Sequence, residues 1–318
     1  MNVKNGNGTK LKFSDLAMLF VVMVWGVNIS VVKIGLRDLA PHAFNAVRLT
    51  LGALAFIVIL LFRPSGLSMR KGDFWKSVGL GILGITAYQI FFIQAISIMN
   101  VSSAAIVMAT SPVFIALLST ALGQEKIHWA GWLGIVISFA GFILVVSGEN
   151  GGFNFTWEGT RGAVFILLAN VSWAGYTVFA RPLLERIEPF KLSAMATITG
   201  TALYIPFTLT DLGRIEWGAI TMSGWGAILY SGLVSITVCF AIWYVSLKAV
   251  GSAKTGIYSN LTPIFAAVTA ALILHERLTM LQAAGAIITL SGVYLTRSGY
   301  KFFMKSRTEP ALPQVDRA

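Results

Sequence analysis

Arg48 is the one basic residue set well inside a long apolar run of this 318-residue chain. It lies about seven residues beyond Pro41, roughly 10 Å along a helix at 1.5 Å per residue. A guanidinium keeps its charge at any working pH, and facing lipid would be costly. Arg48 therefore needs acceptors, and two sources stand open: backbone carbonyls of neighbouring helices, or the carboxylate of a bound solute. Other groups able to hold a solute recur in the middle of apolar runs: Trp25 and Asn28; Tyr88, Gln89 and Phe92; Trp173 and Tyr176; Trp243; Tyr258 and Asn260. Trp25 with Asn28, and Trp173 with Tyr176, are i,i+3 pairs that share a helix face. An aromatic stripe also serves plain packing, but amides and phenols in a bilayer need partners. Apolar walls bearing a few such groups suit a small neutral or zwitterionic solute. These residues form the candidate substrate-binding set.

Other chemistry is missing. All 13 acidic residues lie in tails, loops or the ends of apolar runs. His42, His128 and His275 sit at run edges, and Cys239 is the single cysteine. A membrane-embedded hydrolase or transferase needs a nucleophile and base at depth, and neither is present, so an enzyme is not expected. No metal, cofactor or ATP site is expected either, for want of ligand clusters and of a phosphate-cradling glycine loop. No carboxylate or histidine stands at mid-membrane depth to relay protons or select organic cations. Pro112 and Pro263 each fall about ten residues into a run, where a lost backbone donor makes either a packing kink or a hinge. Glu125 and Glu276 follow run ends. Each is a helix cap or a gate, and the cap is favoured because neither reaches the midplane.

The elements that carry these residues follow from composition. Hydrophobic residues make up 56% and charged residues 12%, and mean hydropathy is +0.76, so the partner is a lipid bilayer. The net charge of +11 sits on no soluble domain, and no nucleic-acid partner is expected. Ten runs are long enough to span: 15–35, 41–62, 75–97, 101–122, 128–147, 160–180, 190–209, 224–248, 252–274 and 279–297. They are too long and too evenly apolar for barrel strands. The first run outlasts a signal-peptide core. The expected fold is therefore an all-α polytopic membrane protein, with a basic tail over 298–318 that lacks structure. Placing the N-terminus in the cytoplasm puts 18 Lys and Arg on that side and four, Arg37, Arg161, Arg214 and Arg277, on the other. That bias predicts both termini in the cytoplasm of a multi-pass inner (plasma) membrane protein.

The chain also repeats itself. Trp25 and Trp173, Lys33 and Arg181, and Pro41 and Pro189 are pairs 148 apart. Further on the offset is 151: Ser111-Pro112-Val113-Phe114 matches Thr262-Pro263-Ile264-Phe265, Glu125 matches Glu276, and Gly134, Gly141 and Gly148 match Gly285, Gly292 and Gly299. The units are 15–147 and 160–297. Each has five expected helices, an odd number, so the second enters the membrane inverted, as in many secondary transporters. The seven-residue glycine period marks one close-packing face, open either to contact within the chain or to a homodimer.

The run Trp243 to Ala253, then Leu261-Thr262-Pro263-Ile264-Phe265, His275-Glu276-Arg277-Leu278-Thr279 and Gly285 to Gly292 resembles the drug/metabolite transporter superfamily, and within it the EamA-type exporters. The first half repeats the pattern with Ser111-Pro112-Val113-Phe114 and Gly123-Gln124-Glu125-Lys126. The usual Gly-Glu before the last helix reads His275-Glu276 here. The resemblance implies ten helices around a central cavity and outward transport of small metabolites such as amino acids. Alternating access between the two units is the expected mechanism. The alternatives are a broad-specificity multidrug exporter and a non-saturating channel.

Overall fold

The computed structural model describes residues 13–63, 69–123, 127, 129–148, 156–259 and 261–306, and among them every regular element is helical. In chain order these are α1 (Phe13–Gly35), α2 (Pro41–Leu61), α3 (Lys71–Ile98), α4 (Val101–Ala121), α5 (Trp129–Ser147), α6 (Trp157–Leu184) and α7 (Pro189–Leu212). Next come α8, built from Met222–Leu229, Tyr230–Val238 and Cys239–Ser259, then α9 (Thr262–Ile273) and α10 (Met280–Ser306). Eight stretches of the described chain are long and apolar enough to cross a membrane; Thr262–Ile273 and Met280–Thr296 are shorter apolar helices. Large apolar side chains such as Leu54, Val58, Val136, Val171, Val245 and Ile287 point outward. In water that surface would be unfavourable; in hydrocarbon it is the ordinary one.

Local chemistry explains where the helices begin and bend. Pro41 and Pro189 open α2 and α7, where a missing N–H costs nothing. Thr279 and Gln282 form a reciprocal cap on α10. The Thr279 hydroxyl accepts from the Gln282 amide at 3.1 Å, and Gln282 Oε1 accepts from the Thr279 amide at 2.8 Å. Both α3 and α8 contain a wider π-helical stretch, at Ile82–Ala87 and Tyr230–Val238, whose starts are again 148 residues apart. Such stretches leave carbonyls unclaimed by the helix. α4 breaks at Ala109 and Thr110, and Pro112 lies in the first turn of the segment that follows. Pro263 lies likewise in the first turn of α9.

Two expectations need correction. The run bounds 224–248 and 252–274 put a break at 249–251, yet the helix passes unbroken from Cys239 to Ser259. Gly251 alone costs about 1 kcal/mol in a helix and does not end one. The chain after 297 was expected to lack structure, but α10 continues to Ser306; residues 307–318 lie outside the described residues.

The glycine face packs within the chain. A methyl group on Gly134 would overlap the Thr296 amide and the Gly292 carbonyl, and one on Gly141 would overlap Thr289 and the Gly285 carbonyl. The contact is mutual, since Gly285 and Gly292 lie against the carbonyls of Gly141 and Gly134. α5 and α10 therefore meet backbone to backbone, leaving this face no room for a second chain.

Candidate functional site

A cavity of about 910 Å³, counting the open space at its mouth, lies among α1, α2, α3, α4, α6, α8 and α9. Three indoles form much of its wall. The Trp25 ring centre is 5.7 Å from that of Trp173 and 5.1 Å from that of Trp243, and Trp173 lies 5.5 Å from Trp243. Tyr88 packs 5.4 Å from Trp173 and stacks 5.7 Å from Phe92. Trp25 is fixed by its Nε1, which donates to the Ser235 carbonyl at 3.1 Å. Ser235 lies inside the π-helical stretch of α8, so the wider turn supplies the acceptor that orients the indole.

Arg48 stands in this wall, only 1% exposed. Its Nε donates to Asn45 Oδ1 at 2.8 Å and its Nη2 to Gln89 Oε1 at 2.7 Å. The rings of Phe44 and Phe92 flank it at 5.8 and 5.6 Å. Both acceptors are neutral amide oxygens, not the backbone carbonyls expected for a structural tie. Lys33 makes that kind of tie instead: its Nζ donates to the carbonyls of Ile96 and Met99 at 2.8 and 2.9 Å, capping the end of α3. The ion pairs seen among the described residues, Arg63 with Glu188 and Arg186 with Asp73, lie elsewhere.

Of the expected binding residues, Trp25, Asn28, Arg48, Tyr88, Gln89, Phe92, Trp173 and Trp243 line the cavity. Tyr176 does not; it is buried behind Trp173 and stacked 5.3 Å from Tyr244. Tyr258 packs against the apolar cluster that holds Trp243 and Tyr244. Asn260 and Glu125 lie outside the described residues. Pro112 and Pro263 both touch the cavity, as do Ser111 and Thr262 just before them.

Asn170, Ser235 and Phe240 also line it and were missed. Asn170 was detectable as a mid-run amide, by the criterion that singled out Asn28. Its Nδ2 donates to the Val107 carbonyl at 3.2 Å and to Thr110 Oγ1 at 3.0 Å, bracing the break in α4.

Glu276 caps a helix, but not its own. One carboxylate oxygen accepts from the Val101 amide at 2.9 Å, the other from the Ser102 amide and hydroxyl at 3.0 Å each. The link joins the α9–α10 connection to the start of α4, where free amides and the helix dipole favour a negative charge.

A family model for EamA-like transporters matches residues 12–147 and again 160–298. The chain belongs to the EamA-like transporter family. This EamA-like chain is 29% identical, over 89% of its length and 96% of the relative's, to an "uncharacterized transporter" of Archaeoglobus fulgidus. It is 26% identical to a "probable amino-acid metabolite efflux pump" of Escherichia coli, covering 89% and 94% of the two chains. A solved crystal structure shares the fold with a TM-score of 0.67 at 19% identity, over 91% of this chain and 98% of that one. As an EamA-like protein with many apolar helices it is a multi-pass membrane transporter and not an enzyme.

Proposed function

We propose that the protein is a secondary exporter which moves a small metabolite of amino-acid size through this cavity by alternating access. The two units read from the sequence, 15–147 and 160–297, are taken as inverted five-helix repeats, giving ten crossings in the inner membrane with both termini cytoplasmic. The observation that carries the reading is the cavity wall. Both units contribute to it at equivalent positions: Trp25 and Trp173, Ser111 and Thr262, Pro112 and Pro263. A site shared between two like units is the arrangement that lets one unit take the other's conformation and move the opening across the membrane. The prolines stand where α4 breaks and where α9 starts, and they are read as hinges. Export, rather than uptake, is favoured by the name of the Escherichia coli relative.

The test is labelling with a membrane-impermeant maleimide in liposomes. Cys239, which is buried, is first replaced by Ala, and single cysteines are then placed at 25, 88, 173 and 243. All four are expected to react, and cysteines at the outward-facing Val136 and Val171 to stay unreactive. Labelling of the outer pair alone would overturn the site.

A further inference from the structure

The guanidinium of Arg48 is buried in the cavity wall with neutral acceptors on two of its nitrogens and, among the described residues, neither a carboxylate nor a partner for Nη1. We infer that the transported species is an organic anion: a carboxylate that docks on Arg48, carried by an apolar body of about one aromatic ring, without a free ammonium group. The inference rests on the cavity being the substrate site, and it narrows that reading to one charge class.

Three observations lead to it. First, among the described residues Arg48 is the single charged side chain that lines the cavity, so the described wall brings one positive charge and no counter-charge. A buried charge without its counter-charge is unfavourable, and a ligand carboxylate supplies what the protein omits. Guanidinium matches carboxylate in a planar, two-pronged geometry.

Second, residues of the wall hold unused polar atoms able to donate. Trp243 Nε1 can only donate and has no partner among the described residues, and the hydroxyls of Ser111 and Thr262, which can donate or accept, are likewise unpartnered. An acceptor-rich group uses such donors.

Third, an ammonium group would find no acidic side chain among the described residues of the wall. It would meet neutral oxygens, indole faces and the field of Arg48, which repels it. A zwitterion gains the carboxylate contact but loses the hydration of its ammonium without an ionic replacement. A deaminated or N-acylated acid is therefore preferred over the parent amino acid. The stacked rings of Tyr88 and Phe92 and the three indoles suit a flat apolar body.

The experiment holds the body constant and varies the charge. Binding to the full chain in lipid nanodiscs is measured by calorimetry with 3-phenylpropionate, phenylalanine, phenethylamine and 3-phenylpropionamide. The anion is expected to bind saturably and at least tenfold more tightly than the other three. Gln89→Glu keeps the side-chain size and the bond to Arg48 but places a carboxylate beside it. The anion's affinity is then expected to fall at least tenfold, with folding verified by the melting temperature. Arg48→Lys, which keeps the charge but loses the fork, is expected to weaken binding less than Arg48→Gln.

Phenylalanine or phenethylamine binding as tightly as the anion would overturn the charge class and leave the cavity reading standing. An unchanged affinity in a folded Gln89→Glu protein would overturn the role of Arg48. Failure of all four probes would overturn the ring-sized anion, and the maleimide labelling then decides whether the cavity reading falls with it.

Discussion

Glu276 shows how one residue can hold two distant parts of the chain together. Its carboxylate satisfies two backbone amides and one hydroxyl at the start of α4, and the neighbouring His275 turns the chain with φ of 57°. That is left-handed backbone, which an ordinary residue adopts at a cost of about 1–2 kcal/mol. The resemblance to the EamA-type exporters implies glycine there, and His275 takes a backbone shape that glycine adopts freely. Glu276→Gln retains one acceptor and loses the charge that faces the helix dipole. A loss of about 1 kcal/mol is expected, read as a melting temperature lower by a few degrees. No change in melting temperature would mean that the contact is not a stabilising one. That Glu276 would cap amides was legible from its place at a run end. Which helix it caps was not, because the partner lies 174 and 175 residues away in sequence and no periodicity records that.

At the scale of elements, α5 and α10 are held by a seam of glycines whose spacing was readable in advance. Two turns of helix bring every seventh residue back to the same face, and small residues there let backbones approach closely. Gly141→Leu is expected to force the helices apart and to lower the yield of folded protein sharply, since its side chain would meet the backbone of α10. Gly79→Ala is the matched control: nothing lies within 4 Å of the added methyl, and in mid-helix it should stabilise by about 1 kcal/mol. Equal behaviour of the two variants in a detergent melting assay would show that the seam is not close-packed. The apolar runs and this seam were legible because each is a local pattern. The π-helical stretches in α3 and α8 were not, because the sequence that makes them is as apolar as its surroundings. The cavity was partly legible for the same reason. Mid-run amides and arginine stand out against apolar neighbours, whereas Tyr176 behind the wall and Phe240 in it are ordinary aromatic residues until the helices are packed.

At the scale of the whole molecule, the charge distribution bears on how transport is driven. Among the described residues the cavity lining contains no Asp, Glu or His, and the described acidic residues lie at helix ends or in connections. A proton-coupled carrier needs a titrating group on its pathway, and none of the lining residues qualifies. An organic anion has another source of work. Moving one negative charge outward across an inside-negative membrane releases about 2.3 kcal/mol per 100 mV, so outward flux of the solute proposed for Arg48 runs down the potential without a proton. Proteoliposomes loaded with 3-phenylpropionate at equal pH on both sides are therefore expected to release it severalfold faster when a potassium diffusion potential makes the interior negative, measured against protein-free liposomes. The protein-dependent rate under a fixed potential should change less than about twofold between pH 6 and pH 8, a range across which an unperturbed histidine would titrate. Release that ignores the potential, or that requires a pH gradient and is lost in Glu276→Gln, would mean that a carboxylate outside the cavity carries a proton and that the anion does not move as a bare charge.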